Sequence, residues 1–140
     1  MLARKDTIQQ YIPQRPPMVM IDDLLEASET HALTQLQVRF DNVFIDRNHL
    51  SEPGMVENIA QTAAAQVGYQ CAMKNIPVPI GYIAAVKNLR IIKMPLENSV
   101  ITTTVRILNQ VLDITLAEGK IEQEGVVCCT CEIRIFVKSS

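Results

Sequence analysis

The sequence predicts an α+β domain in which a bent antiparallel sheet wraps one long central helix. Three observations predict it. Residues 53–72 read as helix, and between Pro53 and Ala72 the only charged side chain is Glu57. The stretches before and after that helix alternate or are rich in β-branched residues, as strands are. The turn signals between them are short, and no linker, repeat or low-complexity tract interrupts the 140 residues, so residues 1–140 are expected to form a single domain.

The elements follow in order. "ARKDTIQQYI", residues 3–12, spaces Ile8, Tyr11 and Ile12 as a helix does and stops at Pro13, which cannot continue one. Pro13, Pro16 and Pro17 then hold the chain extended. "MVMIDDLL", residues 18–25, reads as a strand entering a core. In "HALTQLQVRF", residues 31–40, Ala32, Thr34, Leu36 and Val38 share one face, which predicts a half-buried strand paired with the one before it. "DNVFIDRNHL", residues 41–50, reads as an irregular loop. Ser51 can cap the central helix and Glu52 suits the positive end of its dipole. The helix is expected to run to about Lys74, where "NIPVPIG" breaks it. Four strands follow: "GYIAAVKNLRI", "VITTTVRIL", "VLDITLAEGKIE" and "VVCCTCEIRIFV", the last three spaced as an antiparallel meander.

Composition narrows the function. A net charge of −2 and the absence of Trp leave no basic excess and few stacking platforms for nucleic acid. No run approaches the ~18 consecutive apolar residues that span a bilayer. The N-terminal stretch lacks the apolar centre of a signal peptide, so a cytoplasmic protein is expected. The four cysteines are Cys71, Cys128, Cys129 and Cys131. On a strand, Cys129 and Cys131 share a face and Cys128 takes the other. Their spacing is wrong for paired zinc ligands and neither histidine is near. They are expected to be small buried apolar residues, with redox chemistry the alternative.

The central helix carries the functional question. An amphipathic surface helix has a charged face, and this one has none. It must be covered by its own sheet and by something more. A chain of this length has little material left for a second cover, so a homodimer or higher oligomer that extends the sheet is expected.

The order of pieces resembles a known family. "YIPQRPPMVMIDDLLE" is similar to its opening, "PGMVENIAQTAAA" to its central helix, with the acid followed four residues later by glutamine, and "GYIAAVKNLRIIKMPLENSVITTTVRIL" to the strand, proline turn and strand that follow. The sequence resembles the 3-hydroxyacyl-[acyl-carrier-protein] dehydratase family of the hot-dog fold, over nearly the whole chain. The loop between His49 and Glu57, in "RNHLSEPGMVE", is shorter than in better-known members, which resembles a divergent branch that includes dehydratase-like proteins of aryl polyene gene clusters.

The resemblance implies dehydration of a 3-hydroxyacyl thioester to a trans-2-enoyl thioester, in fatty-acid or polyene-type lipid synthesis. The substrate would arrive on the phosphopantetheine arm of an acyl carrier protein, with no metal or other cofactor. A base takes the C2 proton and an acid protonates the departing C3 hydroxyl. Histidine suits the first task, which makes His49 the expected base. A carboxyl in an apolar setting suits the second, and Glu57 has Met55, Val56, Ile59 and Ala60 around it. Gln61 is one turn later on the same face and can hold the carboxyl or a substrate water. Gly54 is the candidate backbone donor to the thioester oxygen. Tyr82 is a candidate lining residue, like Tyr69. Lys87, Arg90 and Lys93 can attract an acidic carrier or its phosphate.

Plainer readings stand beside these. Glu57 also suits the helix dipole, His49 also suits a solvated loop, and basic residues at strand ends are often only solvated. His31 is expected to be structural or exposed. Two other functions fit the same pattern: an acyl thioesterase, and a non-catalytic acyl-carrier-binding subunit of a hot-dog dimer.

Overall fold

The computed structural model describes residues 1–138. The central helix, α1, spans Glu52–Met73. Ser51 is its N-cap in extended conformation, although no side-chain capping bond forms, and Pro53 sits in the first turn, where its missing N–H is harmless. From Gly54 to Ala72 no residue is exposed.

The polar residues of α1 explain why it can be enclosed without charge. The Asn58 amide donates to the Met20 carbonyl at 2.7 Å and its oxygen accepts from the Thr103 hydroxyl. Thr62 and Thr34 hydroxyls are 2.7 Å apart. Gln66 and Gln70 donate to the carbonyls of Ser28 and Ala27 at 2.6 and 3.0 Å. Each of these amides and hydroxyls meets a partner on the sheet or on the segments that flank β1, so burial carries little desolvation penalty.

Six strands wrap this helix: β1 (Asp23–Ala27), β2 (His31–Gln37), β5 (Ile80–Ile91), β6 (Val100–Val111), β7 (Ile114–Gln123) and β8 (Val126–Lys138), with β3 (Ile45–Asp46) and β4 (His49–Leu50) forming a separate small hairpin. The sheet order is β1-β2-β6-β7-β8-β5, antiparallel throughout. The predicted β1–β2 pairing and the β6–β7–β8 meander both form. Ala32, Thr34, Leu36 and Val38 are the buried face, as alternation requires. The main core packs Met55, Ile59 and Ala63 of α1 against Ile101, Val105, Ala117, Ile121 and Ile133. Gly119 permits the close approach: a Cβ there would lie 2.4 Å from Ile59 Cγ2. This one-helix, wrapped-sheet architecture is the hot-dog fold. No helix among the described residues is long and apolar enough to cross a membrane.

The structure corrects four local expectations. The first helix shrinks to a single 3-10 turn, Ile8–Gln10. The chain before it is tied to β1 through Ala3 and Leu24, and Pro13 follows closely, leaving too few residues to propagate an α-helix. The strand expected from Met18 begins only at Asp23, because Met20 bonds to helix side chains instead of a neighbouring strand. The expected loop before α1 contains the β3–β4 hairpin, turned by Arg47 and Asn48 at positive φ. Finally, Cys128 does not face away from Cys129. The register slips where Cys129 pairs Ile121 and Val127 pairs Glu122, so Cys128 is an extra residue on β8. That bulge turns both consecutive cysteines into the core, beside Cys131.

The N-terminal segment crosses α1 at Gly68, where a Cβ would sit 2.1 Å from the Tyr11 carbonyl oxygen. In an exposed helix interior, glycine to alanine stabilises by about 1 kcal/mol. Here Gly68→Ala is expected to reverse that sign and lower stability by about 1–3 kcal/mol through overpacking, read by urea unfolding.

Candidate active site

Glu57 stands on α1 with its side chain half-buried. One turn later is Gln61, 0% exposed. The Gln61 amide nitrogen donates to Glu57 Oε2 at 2.9 Å and to the Met18 carbonyl at 2.7 Å, while its oxygen accepts from the Met20 N–H at 2.6 Å. Both amide hydrogens are therefore committed. Of the two tasks expected for Gln61, the geometry fits holding the carboxyl and leaves no donor for a substrate water. Glu57 is thereby aimed from a fixed point, as a residue acting on a reacting atom needs to be.

Glu57 opens into a cavity of about 310 Å³. Ala60, Ala63, Ala64 and Val67 of α1 form one wall. Tyr11, Pro13 and Gln14 form another, and the start of β5, with Gly81, Tyr82 and Ile83, a third. Ile107, Thr115 and Ile135 close it from the sheet. The alanines make the room: larger side chains at these successive turns would fill it. The cavity is mainly apolar and carries one acid held in place.

The structure brings Glu57, Gln61 and Tyr82 together. Tyr82 is 59% exposed at the cavity mouth. Tyr69 packs instead against Tyr11, ring centroids 5.5 Å apart. His49 and Gly54 do not line the cavity of their own chain. His49 is on β4, its Nδ1 2.8 Å from the Arg47 carbonyl oxygen, and it bridges to Leu96. Gly54 is buried where a Cβ would meet Phe44 Cβ at 2.6 Å and Leu50 Cδ1 at 2.7 Å. That close approach alone demands glycine. Lys87, Arg90 and Lys93 are exposed along β5 and the turn beyond it, with no ion pair among the described residues. His31 lies with Ser28 and Glu26 at 2.7 and 3.4 Å, a local turn contact.

Burial disfavours the thiolate at all three β8 cysteines. Burial pushes the Cys129 thiol up to about 12 and Cys131 to about 11, and raises Cys128 as well. No group of metal-binding side chains gathers among the described residues.

Sequence reading missed Tyr11, Gln14 and Thr115, and the part Met18 and Met20 play in holding Gln61. Nothing local marks them: Tyr11 and Gln14 reach the cavity through the crossing of the N-terminal segment over α1, and Thr115 reaches it from β7.

The model of the ApeP dehydratase (ApeP-like) family matches residues 6–140. Among solved structures, the chain is similar to the dehydratase heterocomplex ApeI:P from Xenorhabdus doucetiae, with a TM-score of 0.87 at 21% identity over 95% of this chain and 91% of that one. It is also similar to a hypothetical thioesterase from Streptococcus pneumoniae with coenzyme A, at 0.69 and 12%, covering 84% and 86%. A third is the uncharacterised protein PH1136 from Pyrococcus horikoshii, at 0.72 and 12%, covering 94% and 93%. A comparison with curated protein sequences found no match.

Removing the Gln61 amide strands the Met20 N–H and the Met18 carbonyl. Gln61→Leu is expected to lower stability by about 2–4 kcal/mol, more than a surface substitution would, measured by denaturant unfolding.

Proposed function

The chain belongs to the ApeP-like dehydratase family, and from that premise we propose that it removes water from a 3-hydroxyacyl thioester to give the trans-2-enoyl thioester. The acyl chain is delivered on the phosphopantetheine arm of an acyl carrier protein. The observation that carries this reading is Glu57, held by Gln61 and facing a largely apolar cavity of about 310 Å³.

In this reading Glu57 is the general acid that protonates the C3 hydroxyl as it leaves, and Gln61 is its positioning residue. The base comes across a subunit seam. β5 is the outer strand of the sheet and exposes Tyr82, Ile83 and Val86. Such an edge is a template for strand pairing. Two β5 strands meeting antiparallel about a two-fold axis place the Ile91 end of one beside the Ile80 end of the other. Residues just past Ile91 carry the β4 segment with them: Leu50 N–H bonds the Pro95 carbonyl at 2.8 Å and His49 bridges to Leu96. His49 of the partner subunit thus approaches the cavity mouth formed by Gly81, Tyr82 and Ile83, where it serves as the base that takes the C2 proton. Gly54, third residue of α1, moves with that segment, and its N–H has no intrahelical partner to claim it. It is the proposed donor to the thioester oxygen. Lys87, Arg90 and Lys93 are the proposed attraction for the acidic carrier or the phosphate of its arm.

A second reading concerns the partner alone. The likeness to a chain of a dehydratase heterocomplex favours a different hot-dog chain across the β5 seam in place of a second copy. Native mass measurement of the assembled protein separates the two.

The decisive assay follows the mass of a 3-hydroxyacyl carrier-protein thioester. Wild type is expected to remove one water from the acyl chain. Glu57→Gln and His49→Ala are each expected to slow this by about 10²–10⁴-fold, the usual scale of general acid–base groups. Release of free thiol without dehydration would point to a thioesterase. Binding without any mass change would point to a non-catalytic acyl-binding subunit.

A further inference from the structure

Among the described residues that line the cavity, Gln14 is the one with a buried, unpaired polar atom. Its Oε1 is shut off from solvent and has no hydrogen-bond partner among the described residues, and the residue lines the same cavity as Glu57. A buried acceptor without a partner carries a desolvation cost. Such a group in a binding cavity is relieved when a ligand supplies a donor.

Its depth can be read from the crossing of the N-terminal segment. The Tyr11 carbonyl rests on Gly68, while Met18 and Met20 are bonded to Gln61 and Asn58. Residue 14 therefore lies between these ties, beside Ala64, which also lines the cavity. At 1.5 Å of rise per residue, that level is roughly 10 Å along α1 from Glu57. Of the other amides in the lining, Gln66 donates to the Ser28 carbonyl and Gln110 to the Thr115 hydroxyl, so neither serves Gln14.

Resting on the acyl-thioester reading, we infer that Gln14 is a specificity-determining residue that accepts a hydrogen bond from an O–H or N–H of the bound thioester, remote from the reacting carbons. Two parts of such a ligand carry that chemistry: a hydroxyl towards the end of the acyl chain, or an amide N–H of the pantetheine arm. A modest swing of the side chain presents the oxygen to either. Ligands lacking the donor leave the acceptor unpaired and are selected against.

The test uses binding, with thioether ligands that cannot react, so that it does not depend on turnover. Four are compared on the assembled protein: alkyl pantetheine thioethers ending in methyl or in hydroxyl, and dialkyl thioethers without amides bearing the same two ends. Gln14→Met keeps the length of the side chain and removes both polar atoms, and Gln14→Leu is a second apolar variant. One hydrogen bond to an otherwise unpaired acceptor corresponds to about five- to tenfold in affinity. Both variants are expected to lose that factor only for ligands with the recognised donor, and to melt no lower than wild type without ligand. Loss confined to hydroxyl-ended chains identifies the acyl end; loss confined to the pantetheine pair identifies the arm. Equal losses for all four ligands, or none for any, overturns the assignment. If wild type binds none of them, the acyl-thioester reading falls, and the role of Gln14 falls with it.

Discussion

The buried amide of Gln61 is the interaction on which the rest of the structure depends. It ties the N-terminal segment to the central helix through Met18 and Met20, and with the same nitrogen it holds Glu57. Without that tie the segment carrying Tyr11, Pro13 and Gln14 keeps only the Asn58–Met20 bond and the crossing at Gly68, and a wall of the cavity loosens. One side chain thus links the fold to the proposed chemistry. The arrangement is sensitive because a fully buried amide has three bonds to satisfy and no solvent to fall back on.

The second constraint is the absence of a charged face on the helix, whose only charge beyond Glu52 is Glu57. Amides and hydroxyls replace the charged face of an ordinary surface helix and dock on the sheet and on the segment before it. The small residues that remain, Ala60 and Ala64 among them, leave a void. The edge strand beside that void exposes Tyr82, Ile83 and Val86. The same geometry that leaves the cavity open thus leaves an edge strand unpaired, and in the proposed assembly a partner on β5 covers that apolar surface and brings a new set of residues to the mouth.

Much of this was legible in the sequence. Period-two alternation fixed the buried face of β2, and the β-branched run and turn signals fixed the final meander, because both patterns are set by local geometry. Glu57 stood out because it is the lone charge between Pro53 and Ala72. Gln61 came from the family resemblance, and helical spacing put it on the face of Glu57. What escaped had a non-local cause. The bulge at Cys128 depends on how β7 and β8 come into register. The late start of β1 depends on Met20 finding helix amides. Gln14 reaches the cavity only through the crossing at Gly68. Gly54 has a packing reason, Phe44 and Leu50, that no spacing rule carries.

The central claim is that a working site joins Glu57 of one subunit to His49 of the other. Mixing subunits tests it most directly. Glu57→Gln and His49→Ala proteins are each inactive in this scheme. After unfolding and joint refolding, a mixed dimer holds one intact site. Random pairing should then restore about a quarter of wild-type dehydration. Recovery near that level is the predicted result. No recovery, with mixed dimers present by native mass measurement, would contradict a site shared between two copies of this chain.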